Sequence, residues 1–149
     1  MYQTEKDFGK AVMNAFKRLG FTCIRIESAS TISGMPDLYV MGYGDDYFIE
    51  LKNTKRNTPE PGTYKVAWRP GQQGWAATYK LHHTTKDRTK HSWTLQAFND
   101  KIHCIRMDRV FSEDRPAKES IFVVDKPTDI VRVIKEYTYV DHIKEEQFD

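Results

Sequence analysis

Two apolar runs set close together constrain this chain more than any other feature. They are DLYVMG from Asp37 and DYFIELK ending at Lys52, separated only by Tyr43, Gly44 and Asp45. Both hold β-branched and aromatic residues, and so short a link leaves an antiparallel hairpin as the arrangement in which each buries a face. Upstream the period changes. Residues 4 to 19 predict a helix: Thr4 can cap it with Asp7 three positions on, and Phe8, Val12, Ala15, Phe16 and Leu19 recur at helical spacing before Gly20 stops it. FTCIRIE at 21 to 27 has strand composition, and the small polar stretch SASTISG leads to Gly34.

Downstream of the hairpin, residues 53 to 70 are polar and contain Pro59, Pro61, Gly62 and Pro70, which predicts a long loop with mobile parts. A helix starts near Pro70 and carries Gln72, Gln73, Trp75 and Tyr79. HSWTLQAF and KIHCIRM flank Asn99-Asp100, a pair suited to a tight turn with positive φ, and form a second hairpin. SIFVVDK at 120 to 126 is a further strand; Pro127 then opens a helix in which Ile130, Val131, Ile134 and Tyr137 share a face. The tail from Asp141 is acidic and expected to fray. This order of elements implies an α/β class fold, one domain of 149 residues around a mixed central β-sheet flanked by helices.

No apolar run approaches the roughly 20 residues of a membrane span, and the first ten residues lack a secretory signal, so the expected location is cytoplasmic, with no membrane partner. Cys23 and Cys104 each lie within apolar segments and read as small buried hydrophobes. Without a CxxC pair, a disulfide scaffold and a cysteine zinc site are excluded. The net charge of +2 conceals an uneven distribution: residues 51 to 109 carry 12 basic and 4 acidic side chains, and 110 to 149 carry 6 and 10. Tyr64, Trp68, Trp75, Tyr79 and Trp93 are interleaved with those cations, the pattern of a surface for a polyanion, nucleic acid first. The alternative is a solvated basic surface balanced in space by the acidic last third.

The stretch that carries chemistry is Gly34-Met35-Pro36-Asp37, followed thirteen positions after Asp37 by Glu50-Leu51-Lys52. Side chains alternate along a strand, so Glu50 and Lys52 project together while Leu51 enters the core. If the hairpin register sets the start of its first strand against the end of its second, Asp37 joins them. Two carboxylates so placed make a hard-oxygen site for Mg²⁺, which keeps several waters, and such a site suits phosphodiester hydrolysis by metal-activated water. Lys52 would orient that water or stabilise developing charge. Taken singly, Asp37 is a turn former, and Glu50 and Lys52 are strand charges.

These residues resemble the signature of the PD-(D/E)xK nuclease superfamily, carried by Pro36-Asp37 and Glu50-Leu51-Lys52, over residues 4 to 80 of the chain. The resemblance implies a restriction-endonuclease-like core and a single nuclease domain over 1–149. It also implies Mg²⁺ as cofactor, with Mn²⁺ substituting, and no small-molecule cofactor. A first helix in that superfamily often supplies another acid, which makes Glu5 a third metal ligand; its alternative is an acid stabilising the helix dipole. Pro70-Gly71-Gln72-Gln73-Gly74-Trp75 is similar to the Pro-x-Gln helix start of the VRR-NUC branch, with Gln72 rather than Gln73 in the active site. Two glycines flank the glutamines, and residues 86 to 149 align with nothing in the family.

The resulting expectation is a Mg²⁺-dependent DNA endonuclease with Asp37, Glu50, Lys52 and Gln72 catalytic. It is structure-selective like the Holliday junction resolvases, a homodimer, and phage-encoded. A restriction or repair endonuclease is the alternative, then a DNA-binding module that lost the chemistry, then a protein-interaction domain. Lys55, Arg56, Lys65, Arg69 and Lys80 are candidate DNA backbone contacts. His82, His83 and His91 match no zinc spacing and read as exposed or phosphate-contacting; His103, between Ile102 and Cys104, reads as structural.

Overall fold

The first helix forms where its caps and period say it should: α1 spans Glu5–Arg18, and Thr4, in extended backbone, accepts the Asp7 N–H at 3.0 Å. Strands β1 (Thr22–Arg25), β2 (Leu38–Gly42) and β3 (Asp45–Asn53) follow. The computed structural model describes residues 1–26, 34–109 and 111–142, so Glu27 and most of SASTISG lie outside the described residues. The β2–β3 hairpin turns on two residues, Tyr43 at φ 55° and Gly44 at φ 78°, a pairing of positive φ values whose twist matches that of the strands. After a long segment come α2 (Gln72–His82), β4 (Arg88–Lys90), β5 (Trp93–Ala97), β6 (Ile102–Arg106), β7 (Ile121–Val124), α3 (Pro127–Tyr137) and β8 (Tyr139–Asp141).

Six strands form a mixed sheet in the order β1-β2-β3-β5-β6-β7, in which β3 and β5 run parallel and the other neighbours antiparallel. One face packs α1 and α3: Phe8, Val12 and Phe16 with Ile130 and Ile134 lie against Leu38, Ile49, Leu51, Leu95 and Cys104, all fully buried. The opposite face packs α2 and the segment between β3 and α2, where Tyr64, Val66, Trp68 and Ala76 meet Phe98, Ile105 and Met107. None of the helices of the described residues is long and apolar enough to cross a membrane.

Four expectations are corrected. The segment 54–70 lacks regular structure but is anchored rather than mobile. Tyr64 Oη and Thr58 Oγ1 bond the two ring nitrogens of His103 at 2.6 and 2.8 Å, and the Trp68 indole N–H donates to Thr94 Oγ1 at 3.0 Å. Tyr64, Trp68, Tyr79 and Trp93 are core residues and offer no aromatic surface to a polyanion; Trp75 alone of the five is half-buried. The Asn99-Asp100 turn forms without positive φ, because Asn99 N–H donates to Arg56 O and Asp100 Oδ1 accepts the Thr58 N–H, tying the turn to that segment. His91 is buried, not exposed, in the chain between β4 and β5, its backbone N–H bonded to Thr138 O.

β8 ends at Asp141, the first residue of the acidic tail, and residues 143–149, which carry the rest of that expectation, lie outside the described residues. β8 pairs with β4, and between them Lys90 sends its ammonium to Asp45 Oδ1 at 2.8 Å and Asp46 Oδ1 at 2.5 Å, while Tyr139 Oη donates to Asp45. This clamp fixes the foot of β3. Cys104 is buried as expected, whereas Cys23 is half-buried.

Candidate active site

The register of the first hairpin decides the site. Leu38 pairs with Ile49 on the α1 face, so Asp37 and Glu50, one step along each strand, both turn to the α2 face. Asp37 Oδ2 accepts the Leu51 N–H at 2.8 Å, which pins the carboxylate across the end of β3. Leu51 itself is wholly buried in the opposite core, and Glu50 and Lys52 emerge on the site side at 5% and 9% exposure. Lys52 Nζ stands 3.3 Å from Glu50 Oε2, and Gln72 Nε2 donates to the same oxygen at 2.7 Å. Arg69 places a guanidinium nitrogen 4.0 Å from it.

Glu50 is the strained member. Burial first, and the Asp37 charge second, push its carboxyl up to about 7; Lys52 and the Gln72 hydrogen bond pull the other way without cancelling them. Its second oxygen, Oε1, is buried with no hydrogen-bond donor, and only when Glu50 is protonated can its carboxyl share a proton with that of Asp37. A native fold tolerates such an orphan where something else is meant to satisfy it. Beside it lies a small cleft with about 10 Å³ of space, room for one water, lined by Glu50, Gln72 and Thr94 but mainly by the apolar Trp68, Trp75, Ala76, Trp93 and Met107, and not reached by Asp37. Glu5 stands at the first turn of α1 on the rim. Partial burial and then the Asp37 charge raise its carboxyl, with Lys52, Arg69 and Arg25 opposing.

Gln72 is delivered by two glycines in contact. Gly71, at φ 91°, is the N-cap of α2, and Gly34, at φ 83°, lies against it so closely that a Cβ there would sit 2.1 Å from the Gly71 carbonyl oxygen. Gly71, one of the two glycines that flank the glutamines, is therefore what lets the chain turn into α2 beside Pro36. Gln72 Oε1 accepts the Arg69 N–H at 2.8 Å, which orients the amide so that its NH₂ faces Glu50. Gln73 points elsewhere, to Phe111 N–H and Asp114.

Of the basic residues singled out, Arg69, Lys55, Arg56 and Lys65 are exposed on the segment after β3. Lys55 Nζ contacts Gln3 Oε1 at 3.3 Å, and Arg56 lies 5.6 Å from the Phe98 ring centroid. Lys80 is half-buried with its ammonium donated to Asp108 O at 2.7 Å, and Lys90 is sequestered in the clamp, so part of the basic surplus is internal. His83 stacks on Tyr79 at 3.9 Å, and His82 is exposed. Sequence reasoning missed the Trp68–Thr94 wall beside Glu50 and the Lys90 clamp. Thr94 was detectable in principle, because the parallel register sets it opposite Glu50.

Among the described residues no group of three or more His, Cys, Asp or Glu side chains is gathered tightly enough to hold a metal ion alone. No family model and no curated protein matches this chain. Among solved structures, the chain is similar to Hjc, a Holliday junction resolvase from the archaeal hyperthermophile Archaeoglobus fulgidus. That likeness has 13% identity and a TM-score of 0.49, covering 83% of this chain and 89% of that one.

Proposed function

We propose that this chain is a single nuclease domain that hydrolyses DNA phosphodiester bonds with a divalent cation, Mg²⁺ or Mn²⁺, held by Asp37 and Glu50. One observation carries the reading: a buried glutamate kept beside a second carboxylate with its Oε1 unpartnered. Stability alone disfavours that arrangement, and a hard cation would satisfy it. The donor set fits Mg²⁺, which is commonly bound through one or two carboxylates with waters and substrate phosphate completing its shell. Glu5 is the candidate third acid, from the rim. A bound cation would neutralise the scissile phosphate and acidify a coordinated water.

The chain's own groups supply the rest. Lys52 presents its ammonium to the water or to the charge that grows on the phosphoryl oxygens. Gln72 holds the Glu50 carboxylate in one orientation through a hydrogen bond from its amide NH₂, and Arg69 adds a second positive charge on the same side. Exposed Lys55, Arg56 and Lys65 supply backbone contacts along the segment after β3. The resemblance of Pro36-Asp37 and Glu50-Leu51-Lys52 to the PD-(D/E)xK signature supports a structure-selective endonuclease, and symmetric cutting of two strands supports a homodimer. An inactive DNA-binding module is disfavoured because the acid, acid and lysine are all present.

The test is a panel of labelled four-way, forked, flapped and linear DNAs incubated with Mg²⁺, with Mn²⁺ and with EDTA. Cleavage that needs the metal and favours a branched substrate is expected. Cleavage undiminished by EDTA, or none with either metal, refutes the proposal.

A further inference from the structure

Beside the acid and lysine cluster the same sheet face carries a second concavity. Lys52 on β3 is paired in register with Gln96 on β5, so the two side chains are cross-strand neighbours on one face. Gln96 is 3% exposed and floors a cleft of about 370 Å³ whose walls include Thr54, Arg56, Thr63, Lys65 and Ala67. The Gln96 amide is fixed by donating to Thr54 Oγ1 at 3.0 Å and to Ala97 O at 3.2 Å. No acid lines the cleft, and two cations stand at its walls. Its wall segment is held from beneath by the Tyr64 and Thr58 bonds to His103 and by Asn99 N–H to Arg56 O, so the shape is preformed rather than closed over a ligand.

Size and charge together limit the occupant. A pocket of a few hundred Å³ admits one nucleotide, a unit on the order of 300 Å³, and not a base pair. A nucleotide can enter only from an unpaired strand or after extrusion from the duplex. We propose that this cleft seats the single unpaired nucleotide next to the scissile phosphate, with Arg56 and Lys65 on its phosphate and the Thr54 and Thr63 hydroxyls within its walls. The proposal rests on the nuclease reading for what happens at Glu50 and Lys52, but the binding it describes is measurable without metal.

The experiment uses Ala67→Trp, which fills the cleft from an exposed position. In EDTA, fluorescence anisotropy should show at least a fivefold loss of affinity for a labelled oligo(dT) twelve-mer, with binding of a blunt duplex changed less than twofold. Lys65→Ala should lower the salt slope for the single strand by about 0.7, the loss of one phosphate contact. With Mg²⁺, Ala67→Trp should cut a forked DNA at least tenfold more slowly while hydrolysing bis(p-nitrophenyl) phosphate, which needs no cleft, within twofold of the native rate. Equal losses on single strand and duplex, or no loss on either, overturn the proposal. If neither protein hydrolyses any substrate, the nuclease reading falls, and the anisotropy comparison still decides the cleft.

Discussion

Replacing Glu50 by Gln should make the metal-free protein more stable. Glu50 has an ordinary carboxyl reference of 4.5 and is pushed up to about 7 in the fold, by burial first and by Asp37 second. Each pH unit between those values is worth about 1.4 kcal/mol, so ionising Glu50 in the folded state costs up to ~3 kcal/mol. The folded state holds the proton longer than the unfolded chain, so this penalty is absent below about pH 4.5. It grows as pH rises and is complete above about 7. Gln is close in shape to the protonated acid; its carbonyl can accept from Gln72 and its NH₂ can face Asp37, so the variant removes the penalty without leaving a cavity. Urea denaturation in EDTA at pH 8 should show a gain of about 1 to 3 kcal/mol, and thermal denaturation a rise of roughly 3 to 10 °C. At pH 4.5 the two proteins should be alike. Mg²⁺ should stabilise the native protein and leave Glu50→Gln almost unmoved. A variant no more stable than the native protein at pH 8 would refute the account of Glu50 as a strained acid.

Four further outcomes follow from the same geometry. Asp37→Asn should fold normally and lose DNA cleavage, whereas Asp37→Ala should also lose about 1 kcal/mol in urea denaturation, because the Leu51 N–H loses its acceptor. Gly34→Ala should lose about 1 to 3 kcal/mol, since its Cβ meets the Gly71 carbonyl at a φ that disfavours any side chain, and the displaced Gln72 should lower cleavage beyond the stability loss. Lys90→Met should cost about 1 to 3 kcal/mol by leaving Asp45 and Asp46 without their cation, an effect discounted for the partial exposure of both acids. His91 and His103, both held down to about 4 mainly by burial, take up protons more readily when unfolded, so their contribution is complete above about 6.5 and lost as pH falls toward 4. Acid denaturation of His103→Gln should show a shallower loss over that window; an unchanged profile would remove His103 from the explanation.

Local chemistry made most of the fold legible. Thr4 and Asp7 marked the α1 cap, the Tyr43-Gly44 link marked the hairpin, and Pro127 marked the start of α3, because each is a short-range rule that tertiary packing did not override. Within the hairpin the meeting of Asp37 with Glu50 followed from register alone. What failed was the segment 54–70. Its prolines and glycine forbid regular structure, and nothing local says that Tyr64 will reach His103 or that Trp68 will reach Thr94, 39 and 26 residues away. The same limit misplaced His91, whose N–H reaches Thr138 O at the end of α3, and hid the Lys90 clamp on Asp45 and Asp46.

That failure bears on how the candidate site is built. Of the aromatics that looked like a binding surface, Trp68 and Tyr64 instead pack over part of the polar row Glu50, Thr94, Lys52 and Gln96: Trp68 bonds Thr94, and Tyr64 lines the cleft that Gln96 floors. A polar row covered by Trp68 and Tyr64 has a lower effective dielectric than the same row on an open sheet, which raises the penalty on Glu50 and strengthens every attraction a cation or phosphate would find there. The irregular segment does two jobs by alternation: Tyr64, Val66 and Trp68 point down into the core, while Lys65, Ala67 and Arg69 between them point outward. A chain folded this way places its cations along the rim of a partly covered site. Deleting a single residue between Tyr64 and Trp68 makes their spacing odd, so one of the two must leave the core; urea denaturation should show a clear loss of stability, and a variant as stable as the native chain would refute this alternation.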